Sequence, residues 1–321
     1  MLAYALRRIA TSLALLALSS LVIFLVLRVI PGDPTITALG GSIKDVDPRA
    51  LQEARHTLRL DESLPAQYVH WIGGLFQGDF GKSYFSQFSV TELVSQSIGA
   101  TFQLAVAALV VGLAIAVPLA TLAAIWRNRV FSAFVAGFTA LGLATPAFIT
   151  GIILIVVFGK ELHWLPTQGY VSMLNHPGES LKAVLLPAIT LGIAVAAPIL
   201  RILQASISDV SSAPFIRTAE GKGLLRRRVV LGHVLPNAAL PVLTTIGVTI
   251  GALLGGAVVV EYVFARPGLG TLLVDSVFKR DYGVLQALVL LAAAAFIASS
   301  VVVDILYGVV DPRLRTQRSA A

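Results

Sequence analysis

The sequence predicts an all-α polytopic membrane protein with six transmembrane helices, and three observations favour this fold class. The 321 residues are 56% hydrophobic and only 13% charged, whereas soluble domains contain roughly 25% charged residues. The mean hydropathy is +0.85, and the charged residues lie in the gaps between long apolar runs. This composition excludes a water-exposed globular domain. It also excludes a disordered chain, which would be polar and poor in aliphatic residues.

Each predicted span is a run of about 20 apolar residues, because a helix of that length crosses a hydrocarbon core about 30 Å thick. Such runs, mostly free of Asp, Glu, Lys and Arg, recur along the chain. The predicted helices cover residues 9–30, 100–126, 131–158, 181–203, 239–261 and 284–306. The charge-free run of the fourth, residues 183–200, is the shortest of the six and contains Pro187 and Pro198.

The first run could also be a cleaved signal peptide, because Arg7 and Arg8 precede it. Its charge-free core extends from residue 9 to residue 27, which is longer than a usual signal-peptide core. Arg28 then follows without a clear small-residue cleavage site. We therefore interpret the run as a retained transmembrane helix.

The distribution of basic residues predicts that both termini are cytoplasmic. With the N-terminus inside, the inner segments hold 13 of the 24 Lys and Arg residues but only three of the 17 acidic residues. Such a surplus marks the cytoplasmic side. It also explains the net charge of +7 without nucleic acid, because a nucleic-acid-binding protein carries dense basic patches on a soluble fold. The absence of cysteine removes disulfides, thiol catalysis and cysteine-ligated zinc.

Two loops are notable, and the outer one is too long to be a simple connection. The outer loop, residues 31–98, contains an amphipathic stretch at 48–60, and aromatic residues follow it: Trp71, Phe76, Phe80, Tyr84 and Phe85. Either these aromatic residues lie at the membrane interface or the loop forms a small folded cap over the outer mouth. The inner loop, residues 201–238, is the most basic segment.

The inner loop contains the pattern of a short helix. Ser211 or Ser212 could cap its start, Pro214 suits its first turn, and Gly223 could end it in a left-handed conformation. A helix of about two turns is too short to be stable alone in water, so it must pack against something. From the residues alone, it could equally lie flat on the membrane, with residues 226–228 near lipid phosphates.

Small residues and prolines in the spans indicate how the helices pack. Gly247, Gly251 and Gly255 recur every four residues, which lets backbones approach closely. We interpret this stripe first as a helix contact and second as part of a translocation path, although glycine is common in membrane helices. Four prolines allow kinks: Pro118, Pro146, Pro198 and Pro241.

The sequence disfavours two other function classes. A secondary active transporter, the main alternative, places ionisable residues near the middle of the membrane, and the predicted spans lack them there. An intramembrane enzyme is disfavoured because Gly-x-Ser-x-Gly and His-Glu-x-x-His are absent and the five histidines are scattered.

The inner loop resembles the cytoplasmic signature of binding-protein-dependent ABC importer permeases. That signature reads Glu-Ala-Ala, three residues, Gly, nine residues and Ile-x-Leu-Pro. Arg217-Thr218-Ala219 stand at the Glu-Ala-Ala positions, Gly223 at the Gly, and residues 233–236 close the pattern. Arg217, Thr218 and His233 depart from the general consensus and are similar to the dipeptide/oligopeptide/nickel branch.

Other segments are similar to the B-type permease of that branch. They follow the same order along the chain: Arg7-Arg8, Pro31 to Pro34, Gly78 to Ser83, Thr145 to Phe148, Glu261 to Phe264, Pro267 to Gly270, and Asp311 to Arg315. Each is a short motif, but together they extend from the first span to the C-terminus.

The resemblance implies the transmembrane domain of a type I ABC importer in the inner membrane. It implies a heterodimer with a second homologous permease subunit, two ATP-binding subunits and an extracytoplasmic substrate-binding protein. The chain itself would bind no cofactor, because ATP and Mg²⁺ belong to the ATPases. The only near-match to a P-loop is Gly81-Lys82-Ser83, with Phe76 at the first Gly position. The implied function is inward transport of di- or oligopeptides by alternating access. Relatives also carry nickel, opines, glutathione or haem-like cargo.

The resemblance also assigns site residues. The helix near 213–222 would dock in a groove of the ATPase, with Phe215 and Ile216 as apolar anchors. The full ATPase-coupling set is Phe215, Ile216, Arg217, Thr218, Ala219, Glu220, Lys222 and Gly223. Pro146 and the glycine stripe would belong to the helix contacts or the translocation path. Pro267, Gly268 and Gly270 would form a tight re-entrant turn or a simple loop turn at the outer mouth. Asp304 could pair with Arg313 or Arg315.

Overall fold

The computed structural model describes residues 2–29, 35, 39 and 48–310, and it confirms the all-α class for these residues. We number twelve α-helices in this part of the chain. They are α1 Leu2–Val29, α2 Pro48–Thr57, α3 Leu64–Phe76, α4 Val90–Trp126, α5 Arg129–Ala144, α6 Ala147–Leu154, α7 Pro177–Ser211, α8 Pro214–Gly221, α9 Arg226–Val229, α10 Leu235–Val263, α11 Leu269–Phe278 and α12 Tyr282–Val310. Two π-helical segments, Ile155–Glu161 and Val230–Val234, continue α6 and join α9 to α10.

Four helices are long and apolar enough to cross a membrane alone: α1, α4, α7 and α12. Two bent pairs raise the number to six if each pair is one span. One pair is α5 with α6 and its π-helical extension. The other runs from Arg226 through the first part of α10 and bends by 53° between Ala239 and Pro241. Each of the six predicted spans overlaps one of these units, although the fifth unit covers Arg226–Leu253 and the predicted fifth span covers 239–261.

The third predicted span, 131–158, is not one straight helix. It is broken between Ala144 and Ala147, and its two halves meet at 107°. Pro146 causes the break, because its ring lacks an N–H and disfavours helical backbone in the residue before it. Thr145 is accordingly extended, with φ −90° and ψ 121°. Pro118 and Pro198, in contrast, lie inside continuous helices.

Helix α7 is the centre of the fold. In its most apolar window, 72% of the residues are buried, against 17–28% in α1, α4 and α12. It packs on α4, α5, α6 and α10. At the crossing with α4, a Cβ on Gly112 would lie 2.5 Å from Val195 Cγ1, and a Cβ on Gly192 would lie 2.7 Å from Val111 Cγ1. These two glycines therefore permit the close approach of α4 and α7.

The predicted glycine stripe of α10 is not one continuous helix contact. A Cβ on Gly251 would lie 2.6 Å from Phe296 Cδ2 of α12, so Gly251 is a helix contact. Gly255 is exposed and has no atom within 4 Å of an added Cβ. Gly247 is buried. A single contact does not account for the whole stripe.

Helix α3 is attached to the outer half of α1. Ser20 Oγ lies 2.8 Å from the Tyr68 hydroxyl, and Arg28 donates to Gln67 Oε1 at 2.8–3.0 Å. Between them, the buried Phe24 ring packs against Tyr68 and Trp71. This part of the outer loop is a folded element that packs on the helix bundle.

Other aromatic residues of the outer loop are exposed. Phe76 is 89% exposed and Phe85 is 52% exposed, which suits interfacial side chains. The Pro31–Pro34 and Asp311–Arg315 motifs lie outside the described residues, as does the side chain of Asp304.

Candidate coupling site and outer-mouth network

The short helix predicted in the inner loop is α8, and its N-terminus differs from the prediction. The residue before Pro214 is Ala213, which is extended and provides no side-chain cap. Ser211 is the last residue of α7, and Ser212 Oγ donates to the Asp209 carbonyl at 2.7 Å. Both predicted serine caps are therefore wrong, because the serines belong to the end of α7.

The other end of α8 agrees with the prediction. Gly223 has φ +78°, the left-handed conformation that favours glycine. Its N–H donates to the Glu220 carbonyl at 2.9 Å. The chain therefore turns sharply after α8 and enters α9.

The two apolar side chains of α8 point in different directions. Ile216 has no exposed surface and lies in the main hydrophobic core, with Ala219 packed against that core. Ile216 therefore has no accessible surface that a partner could contact, which disagrees with its assignment as an ATPase anchor. Phe215 is 50% exposed and is the large apolar side chain of α8 that remains accessible. Arg217, Thr218 and Lys222 are exposed beside it.

At the other end of the bundle, the carboxylate of Glu261 joins three helices. Glu261 lies near the end of α10 and is completely buried. Its Oε1 accepts a hydrogen bond from Thr101 Oγ1 of α4 at 2.6 Å. Its Oε2 accepts from the backbone N–H groups of Gly270 at 2.7 Å and Thr271 at 3.4 Å. These N–H groups belong to the first turn of α11, where a negative charge is favoured.

The glycines of the predicted outer-mouth turn leave room for this carboxylate. A Cβ on Gly268 would collide with the carboxyl carbon and both oxygens of Glu261. A Cβ on Gly270 would collide with Val258 Cα and lie 2.7 Å from Glu261 Oε2. Residues 267–270 therefore form a close-packed turn that leads into the ten-residue helix α11.

Arg266 extends the network to α7. Its side chain is completely buried, and Nη2 donates to Gln103 Oε1 of α4 at 2.8 Å. Nη1 donates to the carbonyls of Gly169 and Ala183 at 3.4 Å each, and the guanidinium lies 5.4 Å from the centroid of the Tyr170 ring. The outer ends of α4, α7 and α10 are thereby held together. Sequence reasoning missed both Arg266 and Gln103.

A second outer cluster joins the segment after α3 to α12. Asp281 immediately precedes α12, and its Oδ2 accepts a hydrogen bond from the buried Ser83 hydroxyl. Its Oδ1 accepts from the Tyr84 backbone N–H at 2.9 Å. A larger residue is excluded at Gly283, because a Cβ there would collide with the Lys82 carbonyl oxygen. The Gly78–Ser83 motif therefore has a structural role at the outer mouth.

Tyr84 contributes a neutral hydroxyl to this region. Burial raises its pKa above the ordinary value, while the nearby guanidinium of Arg28 lowers it. The rise outweighs the fall, so Tyr84 is protonated at physiological pH. Among the described residues, no three His, Cys, Asp or Glu side chains are grouped so that they could hold a metal ion.

Comparisons with known proteins agree with this architecture. Residues 116–316 match the family "Binding-protein-dependent transport system inner membrane component", and residues 1–105 match its N-terminal region. The chain is 36% identical over 313 residues to a probable peptide ABC transporter permease, y4tP, of Sinorhizobium fredii, covering 97% of this chain and 99% of the relative. It is 39% identical over 315 residues to the glutathione transport system permease GsiC of Escherichia coli K12, covering 98% and 99%.

A solved structure shows the same fold. It is a chain of the MetNI methionine ABC transporter in an inward-facing conformation, with a TM-score of 0.51 and 18% sequence identity. The match covers 66% of this chain and 95% of that chain. Two family regions together match most of the chain, and the two relatives match 97–98% of it. The chain therefore belongs to the family of binding-protein-dependent transport system inner membrane components.

Proposed function

We propose that this chain is one of two permease subunits of an inner-membrane ABC importer for peptides or peptide-like solutes. The family membership supports separate ATPase and substrate-binding partners. Among the relatives, a probable peptide permease and a glutathione permease support the solute class, since glutathione is itself a tripeptide. ATP and Mg²⁺ bind to the ATPases, and the chain supplies half of the pathway.

The coupling proposal depends on one observation, which is that the two apolar side chains of α8 differ in exposure. Ile216 fixes the helix to the chain's own core, while Phe215 remains half-exposed beside Arg217. An exposed aromatic side chain with a polar rim is a typical anchor for a partner groove. Closure of the ATPases would push on this helix and, through it, on the inner ends of the spans.

A second permease is supported by an exposed stripe on α10. Val248, Gly255, Val259 and Tyr262 lie on one helical face, and the three larger side chains are 45–62% exposed. A stripe of this kind faces lipid or another apolar helix. We assign it to the homologous subunit and the pathway between the two, because Gly255 allows a close approach.

Cysteine cross-linking tests the contact with the ATPase directly. The chain has no cysteine, so a single Phe215→Cys variant gives no background from other sites. We expect a disulfide or short bifunctional cross-link to a cysteine in the groove of a co-expressed ATPase. Val130→Cys is the matched control, because Val130 is 79% exposed and lies in another predicted inner segment. Equal cross-linking from both positions would contradict a docking role for α8.

Uptake by proteoliposomes tests the transport reaction. The two permeases, the ATPases and the binding protein are reconstituted, and radiolabelled glutathione and trialanine are supplied outside with ATP inside. We expect uptake of at least one of them that stops when ATP is omitted. Uptake driven by a proton gradient without ATP would instead indicate a secondary transporter. ATP-dependent uptake of nickel but of neither peptide would contradict the solute class.

A further inference from the structure

Glu220 and Arg226 form an ion pair across the bend that follows α8. Arg226 Nη1 donates to Glu220 Oε1 at 2.7 Å. Arg226 Nε also donates to the carbonyl oxygen of Ala124 at 3.3 Å. Ala124 lies in the last turn of α4, where carbonyl groups lack partners within the helix. One guanidinium therefore bridges the C-terminal end of α8 to the inner end of α4.

Helix α8 needs such a bridge to move as a unit with the bundle. Bends isolate it on both sides, because Ala213 before it is extended and Gly223 after it is left-handed. Apolar contacts hold the helix at Ile216 and Ala219, within one turn, and a helix held over one turn can still tilt. Glu220 lies one turn beyond Ile216, about 6 Å along the axis, and its ion pair adds a polar contact that opposes this tilt.

Stability does not explain this ion pair. The Glu220 side chain is 39% exposed and the Arg226 side chain 22% exposed, and ion pairs this exposed add little to the free energy of unfolding. Arg226 is also the first residue of α9, where the helix dipole disfavours a positive charge. The neighbouring Arg127 approaches the same Glu220 oxygen only at 3.9 Å.

We propose that Glu220 and Arg226 are positioning residues that transmit the movement of α8 to α4. Glu220 then acts inside the permease and does not contact the ATPase, which differs from its place in the predicted ATPase-coupling set. Because α4 packs along the central helix α7, a push on Phe215 reaches the core of the bundle through this bridge. The inference rests on the proposed function, since it assumes that the ATPase pushes on α8.

A charge exchange provides the test. Glu220→Arg and Arg226→Glu are made singly and together in the complete reconstituted transporter, and uptake, ATP hydrolysis and ATPase binding are measured. Each single variant brings like charges together, so we expect uptake per hydrolysed ATP to fall by about fivefold or more, the lower range of coupling between sites. ATPase binding should not change. The double variant should restore only part of the lost uptake per ATP, because the ion pair is re-formed but a carboxylate at position 226 cannot donate to the Ala124 carbonyl.

Control variants distinguish the effect of breaking the ion pair from the effect of changing any charge near α8. Arg227→Glu changes the adjacent exposed arginine, which has no ion pair among the described side chains, and it should leave coupling unchanged. If a reversed variant is missing from the membrane, Glu220→Gln removes the interaction without repulsion and should still lower uptake per ATP. Full coupling in the single variants, or no recovery in the double variant, would overturn the proposal.

The outcome also distinguishes this proposal from the proposed function. If wild-type transporter shows no ATP-dependent uptake and no cross-link from Phe215→Cys, the proposed function fails. If both are present but the exchanged pair does not recover, only the role of Glu220 and Arg226 fails. Loss of ATPase binding in Glu220→Arg, unrecovered in the double variant, would place Glu220 in the ATPase interface instead.

Discussion

Thr101 and Glu261 are 160 positions apart in the sequence, and the threonine hydroxyl donates to the buried carboxylate at 2.6 Å. The same Thr101 oxygen accepts the Leu269 backbone N–H at 2.8 Å. The outer ends of α4, α10 and α11 therefore share one hydrogen-bonded junction. This junction connects the outer ends of the helices, whereas the movement that we propose is at α8 on the inner face.

Removing the charge of Glu261 should weaken the junction. In Glu261→Gln, one of the two oxygens becomes an NH₂ group, so either Thr101 or the first turn of α11 loses its acceptor. An unsatisfied buried donor costs about 1–3 kcal/mol, and we expect a lower melting temperature of the detergent-solubilised protein. Glu179→Gln, at an exposed glutamate, is the control. Equal melting temperatures for both variants would contradict the role of the carboxylate.

Adding one methyl group to the outer-mouth turn should be costly. An Ala at Gly268 or Gly270 would be driven into Glu261 and Val258, and overpacking of this kind costs about 1–3 kcal/mol. Gly178→Ala, where the added methyl group meets nothing within 4 Å, should behave like wild type. Membrane abundance and thermal melting measure the difference. Normal stability of Gly268→Ala would contradict the close packing of this turn against Glu261.

The hydrogen bond between Ser83 and Asp281 should protect the segment that follows α3 from proteolysis. Lys82 is exposed beside it, so trypsin added outside the cell can reach this site once the segment loosens. We expect Ser83→Ala and Asp281→Asn each to increase cleavage after Lys82. The double variant should be little worse than either single variant, because both remove one shared interaction. Unchanged cleavage rates in all three variants would contradict this account.

The two ends of the glycine stripe should respond differently. Gly251→Ala is expected to lower stability, because the added methyl group meets Phe296. Gly255→Phe should leave stability and abundance nearly unchanged, since the space beside Gly255 is open in the chain. The same variant should reduce uptake by filling the gap towards the second permease. Normal uptake with Gly255→Phe would place this face against lipid.

The sequence was sufficient for the membrane spans, because apolar runs and charged gaps are one-dimensional signals. It also located α8 through Pro214 and Gly223, residues with strong local conformational preferences. It misassigned Ile216, since a single apolar residue on a short helix could face either a partner or its own chain, and only tertiary packing decides which. The 107° break at Pro146 was predictable as a kink but not as a change of direction of that size.

The outer network was not predictable for a related reason. Glu261 and Arg266 are separated in sequence from Thr101 and Gln103 by more than 150 residues, and no local pattern joins these pairs. The sequence did contain one signal of a buried polar site. A glutamate lies just before the end of an apolar helix, and an arginine lies just after it. Buried charges are rarely left without partners, so these two residues could have marked a buried polar site, although not its partners.

The central claim is that α8 converts ATP hydrolysis by a partner into movement of this permease. The most direct measurement is the amount of solute imported per ATP hydrolysed in proteoliposomes that carry Phe215→Ala together with Arg217→Ala. We predict that this ratio, or ATPase binding itself, falls by about thirtyfold, since loss of an anchoring aromatic residue often costs about 2 kcal/mol and about 1.4 kcal/mol is tenfold, while Val130→Ala leaves it unchanged. Normal uptake and normal coupling in the double variant would contradict the claim.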